Sequence, residues 1–419
     1  MQKLLITGGN KLTGNVIVGG AKNSILPLIC ATVILNGKST LHNCPDLSDV
    51  RAALNIIEHF GLSYIKKGTD IEICSKKPDA FEIPDELMRT MRSSVMFLGP
   101  VLSRCKRAVI SLPGGCKLGP RPIDMHISAL VKMGAKINFS GEKLEFNANK
   151  GLKGASIFLK FPSVGATENI IMAAALARGT TRIINAAREP EIVDLANFLN
   201  KCGANIKGAG TSRITVGGVP ELGNAEHTVI PDRIEAATFM AAAAVTGGSI
   251  TIENVNCRHL SAVNYMFSRC GCNVEPRGTM LKISAPPRPN ALRYAATGVY
   301  PGFPTDVGPM LIGALTVGSG TSVIEERIFK NRFAFLDELK KFGADIVRRG
   351  SVAAVNGKPE LNAARCDCTD LRGGAALIMA ALRANGTSEI GNLCHIKRGY
   401  QDIAGKLSML GADISEIQR

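Results

Sequence analysis

A stretch rich in glycine and proline, SLPGGCKLGPRPID at residues 111–124, carries the residues with the most evident chemistry. Such a composition predicts a loop, because glycine allows unusual backbone angles and proline removes hydrogen-bond donors. Cys116 lies beside Lys117 and near Arg121, and positive charge stabilises a thiolate. Two interpretations stay open at this point. The loop is either a lid with a reactive cysteine over an anionic ligand, or a surface loop with an incidental cysteine.

Charged residues also precede segments that predict helices. Apolar, alanine-rich segments, which are typical of buried helices, begin beside Lys22, Asn23, Arg92, Ser163, Asp232, Arg233, Asp306, Asp370 and Arg372. Amphipathic segments follow a second group of cations, which contains Arg121, Arg258, Arg332 and Arg398. Capping explains Asp, Ser and Thr at a helix start. Cations there oppose the helix dipole, so they predict a shared anion in a cleft between two domains.

Two further residues have alternative interpretations. Asp306 is either an N-cap or a base that faces a substrate hydroxyl. His126 could pair with Cys116 as a nucleophilic couple, but the helical pattern PIDMHISALVKMG favours a packed helix residue.

A repeated unit positions these residues. A tag resembling KMGAKI recurs about every 70 residues, with its glycine at Gly61, Gly134, Gly203, Gly271, Gly343 and Gly411. Each unit has an apolar helix, a short strand, an amphipathic helix that ends at the tag glycine, and a final strand. Three units per domain predict two similar α/β domains, with a boundary between residues 226 and 231.

Composition restricts the function. The chain has 419 residues, of which 45% are hydrophobic, and a net charge of +15 from 50 Lys+Arg and 35 Asp+Glu. The charge favours anionic partners. Basic residues occur singly or in pairs, and aromatic residues make up 5%, so a small phosphorylated substrate fits better than a nucleic acid.

The apolar segments and the cysteines indicate the compartment. The apolar runs are far shorter than the roughly 20 residues of a membrane span, and the N-terminus does not resemble a signal peptide. Twelve cysteines lack a disulfide or zinc spacing, and residues such as Cys30, Cys202 and Cys394 have apolar neighbours. We therefore expect a cytoplasmic protein with mostly buried, reduced cysteines and no metal.

Motifs along the whole chain resemble the UDP-N-acetylglucosamine 1-carboxyvinyltransferase family of enolpyruvyl transferases. These motifs are GGAKNSILPL, RSSVMFLGPVL, LPGGCKLGPRPIDMHI, PSVGATENI, NAAREPEIVDLANFL, IPDRIEAATFM, FPTD, NRF, TDLRGG and HIKRGY. The related 5-enolpyruvylshikimate-3-phosphate synthases share the fold but lack this cysteine loop.

The resemblance implies a fold and a reaction. The fold has three βαβαββ units per domain with helices packed inside, an inside-out α/β barrel. The domains comprise residues 21–229, and residues 1–20 together with 230–419. The reaction, the first committed step of peptidoglycan synthesis, transfers the enolpyruvyl group of phosphoenolpyruvate to the 3-hydroxyl of UDP-N-acetylglucosamine and releases phosphate. It needs no cofactor, metal, membrane or obligate protein partner.

The resemblance also implies site residues. It makes Cys116 the proton donor, able to form a covalent adduct and to react with the epoxide antibiotic fosfomycin, and Asp306 the group at the attacking hydroxyl. The phosphoenolpyruvate ligands are Lys22, Asn23, Arg121, Arg332, Arg372 and Arg398. The UDP-N-acetylglucosamine ligands are Arg92, Arg121, Pro122, Ile123, Asp124, Met125, Ser163, Val164, Gly165, Asp306 and Ile328. Glu189 would help to hold a closed cleft, and Ser48 replaces a lysine of some members.

Two other functions stay open. One is an enolpyruvyl transferase for a different acceptor alcohol. The other is a basic nucleic-acid-binding protein, whose binding would weaken steeply as the salt concentration rises.

Overall fold

The protein is described by a computed structural model over residues 2–90, 92–111, 123–141 and 143–418, apart from the side chains of Arg89, Thr90, Arg92 and Ser140. These residues form two compact units. We call residues 20–111 and 123–230 the N-terminal unit, and residues 2–19 and 231–418 the C-terminal unit. None of the helices in these ranges combines the length and the apolar composition that crossing a bilayer requires.

The elements follow one another in the repeating order that the sequence predicts. The strands are β1 Gln2–Thr7, β2 Thr13–Ile17, β3 Gly37–His42, β4 Ser63–Lys67, β5 Asp70–Ser75, β6 Arg107–Ser111, β7 Lys136–Ser140, β8 Lys143–Asn147, β9 Ser156–Phe158, β10 Thr180–Ile184, β11 Asn205–Lys207, β12 Arg213–Gly217, β13 Glu226–Thr228, β14 Ser249–Glu253, β15 Asn273–Arg277, β16 Met280–Ser284, β17 Ala295–Ala296, β18 Thr321–Glu325, β19 Asp345–Arg349, β20 Val352–Asn356, β21 Arg365–Asp367, β22 Thr387–Gly391 and β23 Asp413–Gln418. The α-helices are α1 Lys22–Thr32, α2 Ser48–His59, α3 Asp85–Thr90, α4 Leu98–Cys105, α5 Asp124–Lys132, α6 Val164–Ala175, α7 Pro190–Lys201, α8 Arg233–Thr246, α9 Ser261–Arg269, α10 Gly308–Leu315, α11 Leu336–Lys340, α12 Leu371–Arg383 and α13 Ile403–Met409. Short 3-10 helices lie at Arg92–Phe97, Cys257–Leu260, Arg332–Phe335 and Ile396–Arg398.

The described strands form three sheets in each unit. The N-terminal unit has the orders β13-β3-β5-β4, β6-β8-β7 and β11-β12-β10-β9. The C-terminal unit has β21-β22-β1-β23, β15-β16-β14-β2 and β17-β18-β20-β19. Strand β1 pairs antiparallel with β22 and β23, while β2 pairs parallel with β14. The first strands of the chain therefore complete sheets of the C-terminal unit.

Three apolar helices form the centre of the C-terminal unit. All residues of α8 and α10 are buried, and these helices pack against each other and against α12. Small side chains allow this close approach. A Cβ added to Gly313 of α10 would lie 2.8 Å from the carbonyl oxygen of Ala376 in α12. The predicted fold class, two similar α/β domains of three repeats with helices inside, is confirmed.

The tag glycines end the outer helices as expected. All six have a φ between 81° and 99°, the left-handed region in which a side chain on Cβ is strained. A strand begins shortly after each of them. The glycine therefore stops the helix and turns the chain into the sheet.

Some sequence predictions about helix starts were wrong. The segments predicted as helices beside Arg92 and Arg332 begin as 3-10 turns, and α10 begins at Gly308 rather than beside Asp306. Arg258 and Arg398 likewise lie in 3-10 turns that precede α9 and α13. These arginines therefore lie in the 3-10 turns that precede the α-helices rather than in their first turns.

Candidate active site

The aspartates that precede the buried helices of the C-terminal unit have different roles. Asp232 Oδ1 accepts hydrogen bonds from the backbone nitrogens of Ile234 and Glu235, and Asp370 Oδ1 accepts from those of Arg372 and Gly373. These two are N-caps, as the capping interpretation predicts. The N-cap of α10 is Val307, so Asp306 lies one residue too early to cap this helix.

Asp306 instead pairs with two arginines. Arg332 Nη2 donates to Asp306 Oδ1 at 3.1 Å, and Arg372 Nε approaches the same oxygen at 3.4 Å. The arginine side chains are 2% and 5% exposed, whereas that of Asp306 is 29% exposed. We call these three residues the arginine–aspartate cluster. Two buried guanidinium groups share one carboxylate, so the cluster has more positive than negative charge of its own.

Arg372 has a second polar partner behind the cluster. Its Nη1 donates to the Tyr400 hydroxyl at 3.3 Å, and this hydroxyl is 2.9 Å from Thr238 Oγ1. Burial alone disfavours the charge of Arg372, but Tyr400, Asp306 and Asp232 outweigh burial and raise its pKa. Burial also raises the pKa of Tyr400, which is neutral. The Arg372 guanidinium is therefore a permanent, oriented cation.

Arg332 is held on its other side by neutral and acidic groups. Its Nε donates to Thr305 Oγ1 at 3.1 Å, and the Thr305 hydroxyl donates to Glu326 Oε2 at 2.8 Å. Glu326 Oε1 accepts from the backbone nitrogens of Ile328 and Phe329 at 2.8 and 2.9 Å. Ile328 therefore belongs to the same network as Arg332.

Arg398 ends the 3-10 helix Ile396–Arg398 and is half-buried. Two residues later the chain delivers Tyr400, whose backbone nitrogen donates to the carbonyl of Ile396. Gly399 packs closely on Leu371, since an added Cβ would lie 2.5 Å from Cδ2 of that residue. This turn thus packs against the start of α12 and carries Tyr400, whose hydroxyl Arg372 contacts.

The N-terminal unit has a buried ion pair at two helix starts. Lys22 is the first residue of α1, and its Nζ lies 2.7 Å from Asp49 Oδ2 in the first turn of α2. The two side chains are 10% and 4% exposed. Asn23 follows Lys22 and is half-buried, while Ser48 begins α2 and is exposed.

The starts of α5 and α6 hold other residues that the resemblance implicates. Ser163 caps α6, accepting from the Ala166 nitrogen at 3.4 Å. Val164 and Gly165, in the first turn of α6, are half-buried. Ile123 is the N-cap of α5, followed by exposed Asp124 and half-buried Met125. The helix starts thus carry these six predicted residues.

His126 is a packed helix residue, as its helical pattern predicts. Its Nδ1 lies 2.8 Å from Nδ2 of Asn169, which also donates to the Val95 carbonyl. An amide nitrogen is a donor, so Nδ1 is the acceptor and the ring is neutral. Burial lowers the pKa of His126 to about 4, with a smaller opposing effect of Asp124.

The charge of Glu189 affects the pKa of the buried Glu168. Burial raises the pKa of Glu168, and the charges of Glu191 and Glu189 raise it further. Glu189 is half-buried and is the N-cap residue of α7. Its proposed part in holding a closed cleft stays a prediction.

Several predicted site residues lie outside the described residues. These are Cys116, Arg121, Pro122 and the side chain of Arg92. Of the other cysteines, seven are buried, and burial raises the pKa of Cys44, Cys202, Cys270, Cys272 and Cys366 to about 12. Cys394, expected in the core, is exposed, because the segment after β22 runs along the surface.

The cluster suits a substrate with more than one negative charge. Guanidinium groups bind phosphate and carboxylate in bidentate geometry, and a partly exposed carboxylate can accept a hydroxyl proton. In the described ranges, no three His, Cys, Asp or Glu side chains lie close enough to hold a metal ion.

Six residues that contact the predicted site residues were not predicted from the sequence. They are Asp49, Thr238, Thr305, Glu326, Tyr400 and Asn169. Thr238, Thr305, Tyr400 and Asn169 lie within the motifs IPDRIEAATFM, FPTD, HIKRGY and PSVGATENI, and Glu326 lies five residues before NRF, so proximity to these motifs was the available signal. Asp49 had none, because an acid in a first helical turn has an ordinary structural explanation.

The chain matches known proteins over its full length. The family model of EPSP synthase (3-phosphoshikimate 1-carboxyvinyltransferase) matches residues 6–407. The UDP-N-acetylglucosamine 1-carboxyvinyltransferase 2 of Caldanaerobacter subterraneus is 45% identical over 419 residues, covering 100% of both chains. The UDP-N-acetylglucosamine 1-carboxyvinyltransferase of Geobacter metallireducens is 45% identical over 418 residues with the same coverage.

Solved structures share the fold. The enolpyruvyl transferase NikO from Streptomyces tendae has a TM-score of 0.90 at 23% identity, covering 100% of this chain and 99% of its own. EPSP synthase from Acinetobacter baumannii has a TM-score of 0.76 at 21% identity, covering 100% of both chains. With the 45% identity to the relatives above, the chain belongs to the EPSP synthase family and, within it, to the UDP-N-acetylglucosamine 1-carboxyvinyltransferases.

Proposed function

We propose that this protein transfers the enolpyruvyl group of phosphoenolpyruvate to the 3-hydroxyl of UDP-N-acetylglucosamine, the first committed step of peptidoglycan synthesis. The observation that carries the proposal is the arginine–aspartate cluster, in which two buried guanidinium groups accompany one partly exposed carboxylate. The full-length identity to UDP-N-acetylglucosamine 1-carboxyvinyltransferases supports the acceptor.

Phosphoenolpyruvate, which donates the enolpyruvyl group, matches the positive charge of its proposed ligands. Phosphoenolpyruvate has a phosphate and a carboxylate, so it needs several cations. We assign Arg332, Arg372 and Arg398 to these groups, together with Lys22, Asn23 and Arg121. The nucleotide sugar is assigned to the remaining predicted residues, Arg92, Arg121 to Met125, Ser163 to Gly165 and Ile328.

The reaction proceeds by addition and elimination. The sugar 3-hydroxyl attacks C2 of phosphoenolpyruvate while Asp306 accepts its proton and the Cys116 thiol protonates C3, which gives a tetrahedral ketal. The C2–O bond to phosphate then breaks as the new methyl group loses a proton, and the enolpyruvyl ether forms. Negative charge develops on the leaving phosphate, where oriented cations stabilise it without reorganisation.

Cys116 has two testable properties under this proposal. Cys116→Asp keeps a proton donor but is a poor nucleophile, so it should retain turnover and resist fosfomycin, while Cys116→Ser should lose most turnover. Mass spectrometry of the treated protein should find the label on Cys116. A label on another cysteine would contradict the role of this thiol.

A cytoplasmic location accompanies the proposal. Its support is that all eleven cysteines in the described ranges are free, which is typical of a reducing compartment. The substrates are small molecules, and the proposal requires no protein partner.

Phosphate release tests the function. The purified protein should release phosphate from phosphoenolpyruvate only when UDP-N-acetylglucosamine is present, and mass spectrometry should detect the enolpyruvyl ether. 3-Phosphoshikimate is the comparison acceptor, because the matching family model is named for it. Release that is independent of the sugar nucleotide, or that prefers 3-phosphoshikimate, would reject the assignment.

A further inference from the structure

The carboxylate of Glu326, the residue directly after β18, is buried and uses both of its oxygens. Oε1 accepts from the backbone nitrogens of Ile328 and Phe329, and Oε2 accepts from the hydroxyl of Thr305. Burial of a carboxylate costs a large desolvation free energy unless hydrogen bonds to the carboxylate offset this cost. All three bonds are 2.8 or 2.9 Å long, so the group is well satisfied.

The chemistry of its partners fixes the direction of the Thr305 bond. The Thr305 hydroxyl lies 2.8 Å from the carboxylate and 3.1 Å from Arg332 Nε. A carboxylate only accepts and a guanidinium only donates, so the hydroxyl proton must point toward Glu326. The oxygen lone pairs of Thr305 are then directed at Arg332.

Glu326 therefore holds Arg332 from two sides. Through Thr305 it orients Nε, and it also bonds the backbone nitrogen of Phe329, a residue whose ring centroid lies 4.8 Å from the guanidinium carbon. Arg332 Nη2 is left to contact Asp306 at 3.1 Å. The flexible arginine side chain is thereby restricted to one orientation, which reduces the entropy lost when it binds an anion.

We propose that Glu326 is a positioning residue that couples the two substrate subsites. One of its oxygens orients Arg332 for the anionic groups of phosphoenolpyruvate, and the other holds the backbone at Ile328 for the nucleotide sugar. The inference rests on the proposed function and adds a residue that itself contacts neither substrate.

Variants of Thr305 test the hydrogen bonds that connect Glu326 to Arg332 through the Thr305 hydroxyl. Thr305→Val keeps the side-chain shape and removes the hydroxyl, so the KM for phosphoenolpyruvate should rise roughly tenfold. The KM for UDP-N-acetylglucosamine should stay within about twofold, because the bonds to Ile328 and Phe329 are untouched. Thr305→Ser should restore the phosphoenolpyruvate KM. An unchanged phosphoenolpyruvate KM in Thr305→Val, or an equal rise in the KM of both substrates, would show that Glu326 does not orient Arg332 through Thr305.

Variants of Glu326 test the coupling. Glu326→Gln retains an oxygen for the two backbone nitrogens but places an amide nitrogen toward Thr305, so only the phosphoenolpyruvate KM should rise, again roughly tenfold. Glu326→Leu removes the bond to Thr305 and the bonds to the backbone nitrogens of Ile328 and Phe329, so it should raise both KM values. Glu325→Gln is the matched control, because the neighbouring Glu325 pairs with Arg327 and Tyr294 instead, and its KM values should equal those of the wild type.

The outcomes distinguish this inference from the proposed function. Wild-type protein that needs no UDP-N-acetylglucosamine for phosphate release rejects the function itself. Normal wild-type activity with unchanged KM values in Glu326→Gln rejects the positioning role. If Glu326→Leu does not fold, the Glu326→Gln and Thr305→Val results decide. A folded Glu326→Leu variant with a normal UDP-N-acetylglucosamine KM rejects the link to Ile328.

Discussion

The arginine–aspartate cluster and the Lys22–Asp49 pair both lie at or near helix starts, one in each unit. In the cluster, two arginines share one carboxylate that is 29% exposed. In the pair, one lysine meets one carboxylate, and both side chains are at most 10% exposed. The cluster thus has cationic charge in excess of its own carboxylate, whereas the charges of the pair balance.

This difference separates two kinds of cation in the predicted site. The planar guanidinium groups contact Thr305, Tyr400 and Asp306, so they have the fixed orientation that the proposed anion receptor requires. Lys22 has a compact ammonium group on a flexible stem, and a ligand bound there must share it with Asp49. We therefore expect substitutions in the cluster to change catalysis most, and substitutions in the pair to change stability most.

The largest expected effect is that of Asp306→Asn. The amide cannot accept the hydroxyl proton, so kcat should fall roughly a thousandfold, while the phosphoenolpyruvate KM changes little. Steady-state phosphate release measures this effect. Asp337→Asn, at a carboxylate that is 85% exposed, is the control and should have normal kcat. A kcat within tenfold of the wild type in Asp306→Asn would remove this residue from the chemistry.

The pair should show its effect in stability. Asp49→Asn leaves the buried ammonium of Lys22 without this carboxylate, so the free energy of unfolding should fall by about 3 kcal/mol. Urea unfolding of both proteins, followed by circular dichroism, gives the difference. Ser48→Asn, at the adjacent exposed position, should be nearly neutral. A loss for Asp49→Asn below about 0.5 kcal/mol would mean that the pair is solvated and contributes little.

Arg398→Ala should affect one substrate selectively. Because we assign this arginine to the phosphate, the KM for phosphoenolpyruvate should rise roughly a hundredfold and that for UDP-N-acetylglucosamine by less than about threefold. The neighbouring cation Lys397, which pairs with Glu416, supplies the control variant Lys397→Ala. Equal increases for both substrates would indicate that Arg398 has a structural role.

The sequence predicted which principal residues belong to the cluster better than it predicted how they are arranged. Motif resemblance identified Asp306, Arg332 and Arg372, and the repeated glycine tag predicted the fold class. The start of α10 was misplaced, because Asp306 resembles an N-cap, whereas the observed N-cap is Val307 and the helix begins at Gly308. Partners such as Tyr400 and Glu326 depend on contacts between distant segments, which local periodicity does not encode.

The smallest expected effect is a pH dependence of stability in the N-terminal unit. The pKa of His126 is lowered to about 4 in the folded state, so the unfolded state binds its proton more readily below its ordinary pKa of about 6.5. The contribution of His126 to stability is therefore present above pH 6.5 and is lost as the pH falls toward 4. At pH 5 this loss should be about 2 kcal/mol.

His126→Gln isolates that contribution. The Gln oxygen can still accept from Asn169, so the variant should lose less stability than the wild type between pH 7 and pH 5. Glu168, whose pKa is raised, has the opposite pH dependence in both proteins, so the difference between them reports on His126. Identical pH profiles would show that His126 does not titrate in this window.

Steady-state kinetics of Arg372→Met, which removes the guanidinium and keeps an apolar stem, decide whether the cluster binds phosphoenolpyruvate. If the cluster is the phosphoenolpyruvate receptor, the KM for phosphoenolpyruvate should rise at least roughly a hundredfold in the folded variant, while that for UDP-N-acetylglucosamine stays within about threefold. A phosphoenolpyruvate KM equal to that of the wild type, or a matching rise for both substrates, would contradict the assignment of the cluster.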